Sequence, residues 1–210
     1  MTAQSRPRGR RERAKVDKHR RILDAARSLF ADDGVNSVTT QQIADRADVA
    51  IGTLYLYAST KAELLIMVQN EKFSDAIDDG LAAVSSAEQA GSTLTECVLA
   101  LVTPVVACIR EHRENGRTYL HELAFGDPAE PHRAQGLTLA WRLEAGLADL
   151  LARDAQIGVD DAATLARVIT AIIHVTTTAS VFLGDPTDAI LGHIERQITA
   201  VLARRAPPGR

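Results

Sequence analysis

The sequence predicts an all-α fold in two parts: an N-terminal three-helix head built on a helix-turn-helix, and a C-terminal helical bundle, about nine helices in all. Three observations predict it. Apolar residues recur at i, i+3, i+4 spacing along most of the 210 residues, and no alternating β-branched run suggests a strand. Residues 39–61 carry two helix-start signals around a tight turn. Charge is also unevenly placed: residues 1–61 hold 12 Lys and Arg against 7 Asp and Glu, a balance of +5, whereas the remainder balances at −8. The basic part suits a polyanion and the acidic part avoids one.

The chain opens on a basic arm, residues 1–17, containing Arg6, Arg8, Arg10, Arg11, Arg13 and Lys15. Its charge, with Pro7 and Gly9, predicts disorder when free, and its arginines suit phosphate neutralisation. A first helix over 18–32 follows from the spacing of Ile22, Ala25, Ala26, Leu29 and Phe30, with Gly34 as its terminator. Thr39 and Gln42 have capping-box spacing, so a second helix starts at Thr40. Thr60 and Glu63 repeat the device before a helix starting at Lys61. Between them Asp48 falls where the chain turns sharply, a position Asp tolerates better than most residues. Ile43, Ala44 and Ala47 share one face of the second helix, Val49 sits in the turn, and Leu54 points inward. Gly52, Thr53, Tyr55 and Tyr57 are left outward, small and hydroxylated side chains that suit a helix pressed into a DNA groove.

This order of residues resembles the DNA-binding domain of the TetR family of bacterial transcriptional regulators. The resemblance spans Arg21 to Leu65. It rests on Ile22, Ala25, Ala26, Leu29, Phe30, Gly34, Thr39-Thr40, Ile43-Ala44, Ala47, Val49, Gly52-Thr53-Leu54-Tyr55, Lys61 and Leu64. Asp48, Ala50 and Ala58 stand where the family more often has Gly, Ser and Phe. The resemblance implies a DNA-binding domain over 18–66 and an effector-binding and dimerisation domain over 67–205. It implies that Thr40 and Gln41 reach backbone and base edge, and that Gly52 and Thr53 face the groove. It further implies that Tyr55, Tyr57 and Lys61 contact phosphates. Leu56, outward in the same segment, is placed to touch a thymine methyl.

Beyond the head, helices are expected over 61–84, 93–112, 118–125, 130–153, 160–183 and 186–203, with a loop at 85–91 and a kink or break at Pro104. The helix from Asp160 to Leu183 is apolar nearly all round, so it must be covered on every side. With the final helix and its stripe of Ile190, Leu191, Ile194, Ile198, Val201 and Leu202, it predicts a homodimer through the last two helices.

Polar groups set into apolar helices outline a candidate ligand pocket: Tyr119, His121, Glu122, His174, Thr177 and Thr178, with Phe125, Trp141 and Phe182. An ordinary hydrogen-bonded core fits the same pattern. No catalytic constellation, phosphate loop or metal-ligand spacing is visible, so neither a cofactor nor a metal is implied. Cys97 and Cys108 lie on one expected helix, roughly 16 Å apart along its axis, beyond the reach of a disulfide. No signal peptide is visible, and Val168 to Gly184 is too short and too polar to span a membrane, so the expected compartment is the cytoplasm. The sequence therefore predicts a regulator that binds a double-stranded DNA operator and is released by an unknown small-molecule effector. An activator, a DNA-binding protein without an effector, and an enzyme with an acquired helix-turn-helix are the alternatives.

Overall fold

The computed structural model describes residues 9–127 and 129–203. Among them the chain forms nine α-helices, one 3-10 turn and no strand. It divides into two compact units at Val68 and Gln69.

In the first unit α1 runs Arg10–Ser37, with its helical geometry interrupted at Gly34 (φ 77, ψ 158). Gly34 adopts a positive φ that an L side chain resists, so it ends the regular helix there. The expected start at residue 18 is corrected: residues 10–17 are helical rather than disordered. Their Arg, Ala, Lys and Glu residues have high helix propensity, and Glu12 sits in the first turn, where a carboxylate complements the dipole. Residues 1–8 of the expected arm, with Arg6 and Arg8, lie outside the described residues.

Helix α2, Thr40–Arg46, starts at the expected capping box. The Thr39 hydroxyl accepts from the Gln42 N–H at 3.2 Å, and the Gln42 side chain accepts from the Thr39 N–H at 2.8 Å. Asp48 takes the left-handed conformation (φ 52) in the turn. Arg21 of α1 closes that turn by donating to both the backbone and the carboxylate oxygens of Asp48 at 3.2 Å.

Helix α3 is only Ile51–Leu54. Beyond it the backbone tightens: Leu56 and Tyr57 donate to carbonyls three residues back instead of four. Tyr55 and Tyr57 therefore sit past the helix end and not on it.

Helix α4 is Lys61–Gln89, so the loop expected at 85–91 is helical for five of its residues, and the turn comes at Gly91 (φ 76). Its start departs from a simple capping box. Thr60 Oγ1 accepts from the Glu63 N–H at 3.0 Å, but the Glu63 carboxylate reaches back to the N–H and hydroxyl of Ser59. Ile22, Ala26, Phe30, Ile43, Ala44, Leu54, Leu64 and Leu65 form the head core.

In the second unit α5 is Leu94–Arg110, with a Thr93/Glu96 capping box. It continues through Pro104, so the helix is not broken there. Helix α6, Arg113–Phe125, begins five residues before the expected Thr118 because His112 Nδ1 caps it by accepting from the Asn115 N–H. Helix α7 is Pro131–Leu151. Helix α8 is Val159–Thr178; it stops at Ala179, whose backbone is extended, and a 3-10 turn covers Ser180–Phe182. Helix α9 is Thr187–Ala203, with the Pro186 carbonyl accepting from the Ile190 N–H.

Two corrections bear on the expected dimer face. Ile190, Ile194 and Ile198 are fully buried within a single chain and so are core, whereas Leu191, Val201 and Leu202 of the same stripe are half-buried. Helix α8 is not covered all round: Val168 and Val175, seven residues apart, stand exposed on one face. Burial lifts the Cys97 and Cys108 thiols above their usual range, and both cysteines are free. No helix among the described residues is long and apolar enough to cross a membrane.

Candidate functional site

The head presents an outward surface built from α2, α3 and the turn after it, mostly of polar side chains with Leu56 exposed among them. Ile43, Ala44, Ala47 and Leu54 are consumed by the core, so helical geometry turns Gln41, Gly52 and Tyr55 outward. Thr40 Oγ1 and the Tyr55 hydroxyl lie 3.2 Å apart, which joins the start of α2 to the end of α3. Gln41 donates to Asp45 at 2.7 Å and is otherwise in solvent. Gly52 faces open space: a Cβ built there would meet no atom within 4 Å. Nothing inside the protein requires a glycine there, so the bare backbone is available to a close-approaching partner. Thr53 is half-buried beside it, and Leu56 is 84% exposed.

Two expected phosphate contacts carry internal duties. The Tyr57 hydroxyl donates to the Lys15 carbonyl at 3.1 Å, and its ring packs against His19 with centroids 5.6 Å apart. With its proton directed to that carbonyl, Tyr57 also holds α1 in place. Lys61 Nζ donates to the carbonyls of Val38 (2.9 Å) and Asn36 (3.4 Å). An ammonium has three protons, which leaves one for an outside acceptor. The N-terminal half of α1 adds Arg13, Lys15, Lys18 and Arg20, all exposed. Arg20 is paired with Asp17 at 2.9 Å.

The body contains a cavity of about 220 Å³. Phe73 of α4, Val105 and Ile109 of α5, and Leu120 of α6 form its apolar floor. Ala140, Trp141, Leu143 and Glu144 of α7 face Thr170, Ile173 and His174 of α8 across it. Trp141 is 66% exposed, so it stands at the mouth.

Of the nine pocket residues expected from the sequence, Trp141 and His174 line this cavity. The others do not, each for a visible reason. Tyr119 is buried behind the wall, its hydroxyl bonded to Asn70 at 2.9 Å, and burial pushes its phenol far above the usual range. His121 and Phe125 are exposed and pack on each other at 5.2 Å, and Glu122 lies beside His121. Thr177 and Thr178 return their hydroxyl protons to carbonyls of their own helix. Phe182 packs on His193 near α9.

The sequence reading missed Glu144 and Thr170. Their signal was present: each is a polar residue three or four positions from Trp141 or His174, and so on the same helix face. No group of three or more His, Cys, Asp or Glu side chains is placed to hold a metal among the described residues.

Comparison with known proteins bears first on the head. Residues 22–68 match the profile of the bacterial regulatory proteins of the tetR family. Over 61 residues the chain is 41% identical to the HTH-type transcriptional repressor KstR of Mycobacterium tuberculosis (strain ATCC 25618 / H37Rv), covering 29% of this chain and 28% of that one. Over 64 residues it is 38% identical to the fatty acid metabolism regulator protein of Bacillus subtilis (strain 168), covering 30% and 33%. The chain thus spans about a third or less of the length of these curated relatives.

The fold reaches further. The crystal structure of Thermus thermophilus FadR, a TetR-family transcriptional repressor in complex with lauroyl-CoA, superposes with a TM-score of 0.67 at 19% identity, covering 91% of this chain and 96% of that one. Residues 22–68 thus match the tetR-family profile, and the chain as a whole shares the fold of the superposed structure.

Proposed function

We propose that this protein is a homodimeric, sequence-specific repressor that binds an operator in double-stranded DNA through its head and is released by a small, largely apolar molecule held in its body. The outward surface of α2 and α3 carries this reading. Thr40, Gln41, Gly52, Thr53, Tyr55 and Leu56 are spared from the core, and Gly52 leaves backbone bare to a groove. The exposed lysines and arginines of α1 add the phosphate-neutralising charge that positions such a surface on a duplex.

In the body, the cavity between α7 and α8 supports the effector half of the reading, as does a repressor of the same fold whose structure contains lauroyl-CoA. The exposed valines of α8 support a two-fold interface there, since a symmetric patch buries the same residues twice. Release is a population shift: the ligand must bind more tightly to the body state in which the two heads no longer match the operator spacing. By linkage, the ligand weakens operator binding by the same factor by which the operator weakens ligand binding. No catalytic role is assigned, and the cytoplasm is the compartment that suits a DNA-binding regulator.

The test is a footprint of the purified protein on the intergenic DNA flanking its own gene, repeated with candidate ligands. A protected, two-fold symmetric site lost on ligand addition is expected. Uniform binding to unrelated DNA, unaffected by any ligand, would leave a non-specific DNA-binding protein without a sensor.

A further inference from the structure

The cavity wall is nearly free of unpaired charge. Its one carboxylate, Glu144, accepts from Arg167 on the neighbouring turn of α8, with Nη2 at 3.2 Å and Nε at 3.3 Å. No Lys or Arg lines the cavity. The remaining ionisable group is His174, half-buried on α8. Burial lowers its pKa, and the nearby His121 lowers it further, so near neutral pH its ring is uncharged. A neutral imidazole offers one N–H donor and one lone-pair acceptor, and neither ring nitrogen of His174 has a hydrogen-bond partner among the described residues. Thr170 directs its proton to the Arg167 carbonyl at 2.9 Å, which leaves its oxygen as an acceptor only. The other walls are Phe73, Val105, Ile109, Leu120, Leu143 and Ile173.

We infer that this cavity takes an electrically neutral, mostly apolar molecule whose single hydroxyl or carbonyl group docks on the His174 imidazole. The inference rests on the effector reading above and goes beyond it by fixing the ligand's charge class. A carboxylate drawn into the cavity would give up its hydration and find no cation lining the wall: Arg167 stands outside it, largely exposed and paired with Glu144, and His174 could serve only by taking up a proton that its burial disfavours. An ammonium would find only a carboxylate that is already paired. A hydroxyl or carbonyl is matched by His174 whichever tautomer the ring adopts, and leaves no polar atom stranded.

Three ten-carbon probes that differ only in their head group test this: 1-decanol, decanoate and decylamine. Each is titrated at pH 7.5 into the full-length protein, with Trp141, the single tryptophan, as the fluorescent reporter and calorimetry as a second readout. The expected result is decanol binding at least tenfold more tightly than either charged probe. His174→Ala should weaken decanol about tenfold, corresponding to the roughly 1.4 kcal/mol of one hydrogen bond. His174→Gln, which keeps a donor and an acceptor, should recover most of that loss. Tighter binding of decanoate or decylamine, or an unchanged decanol affinity in His174→Ala, would overturn the neutral-ligand inference while leaving the cavity as the effector site. Failure of all three probes, and of lauroyl-CoA, to perturb Trp141 or release heat would overturn the effector reading and this inference together.

Discussion

The phenol of Tyr119 donates a 2.9 Å hydrogen bond to the side-chain oxygen of Asn70, two residues 49 positions apart, inside the body. Asn70 in turn donates its amide to the His132 carbonyl at 2.8 Å, so one side chain from α4 joins α6 to the start of α7. Gly136 makes room for the pair: a Cβ there would press on the Asn70 oxygen at 2.8 Å. Both residues are almost fully buried, so neither can exchange its partner for water.

Removing the phenol should therefore cost stability without touching the surface. Tyr119→Phe leaves the Asn70 oxygen without its donor and should destabilise the protein by about 1–3 kcal/mol. Asn70→Ala removes both bonds and opens a small void, so it should cost more. Urea unfolding followed by circular dichroism measures both. Equal stability of Tyr119→Phe and the parent protein would show that the bond contributes nothing net.

Asp48 gives a second test, this time of backbone strain. It holds φ 52 in the helix-turn-helix turn and accepts from Arg21. Asp48→Ala meets the left-handed penalty with no side-chain compensation and should cost roughly 1 kcal/mol. Asp48→Gly relieves the strain while losing an exposed ion pair of small worth, so it should fall close to the parent. Thermal melting ranks the three, and an alanine variant more stable than the glycine variant would contradict the argument.

Dimerisation is best probed on α8. Ile194 and Ile198 are core residues, so charges there unfold the chain and report nothing about assembly. Val168→Glu with Val175→Glu places charges on the exposed face, where 59% of Val175 already meets solvent. These changes should leave helicity and melting of the single chain intact but shift sedimentation from dimer to monomer. A parent protein that sediments as a monomer at micromolar concentration would remove the proposed interface.

DNA binding should be steeply salt dependent. If the dimer neutralises about six phosphates, log K should fall with log salt at a slope of about −5. Tyr55→Phe and Lys61→Ala should weaken binding to all sequences, whereas Thr53→Val and Gln41→Ala should alter the preference among operators. Gly52→Ala is the sharpest case. Open space around Gly52 predicts unchanged or slightly raised stability, and a bare backbone pressed into a groove predicts lost operator affinity. Fluorescence anisotropy on paired operators separates these outcomes, and full operator binding by Gly52→Ala would place the groove elsewhere.

The head was the most legible part of the chain because its determinants are local. A capping box needs only Thr39 and Gln42 three residues apart, and the left-handed turn needs one tolerant residue, Asp48. Helical periodicity likewise placed every helix of the body, with errors only at ends. What covers each helix was not legible, because periodicity reports which face is apolar and says nothing of its partner. So the sequence by itself determined an all-α chain with a helix-turn-helix head and a basic front. Tertiary structure alone decided that Ile194 and Ile198 are core, and that Val168 and Val175 are left outside. It also decided that Tyr57 is tied to Lys15, and that Glu144 and Thr170 meet Trp141 and His174 around one cavity while Tyr119 turns away to Asn70. Those choices depend on contacts between residues tens of positions apart, set by how the helices pack and by which buried polar atoms must find a partner.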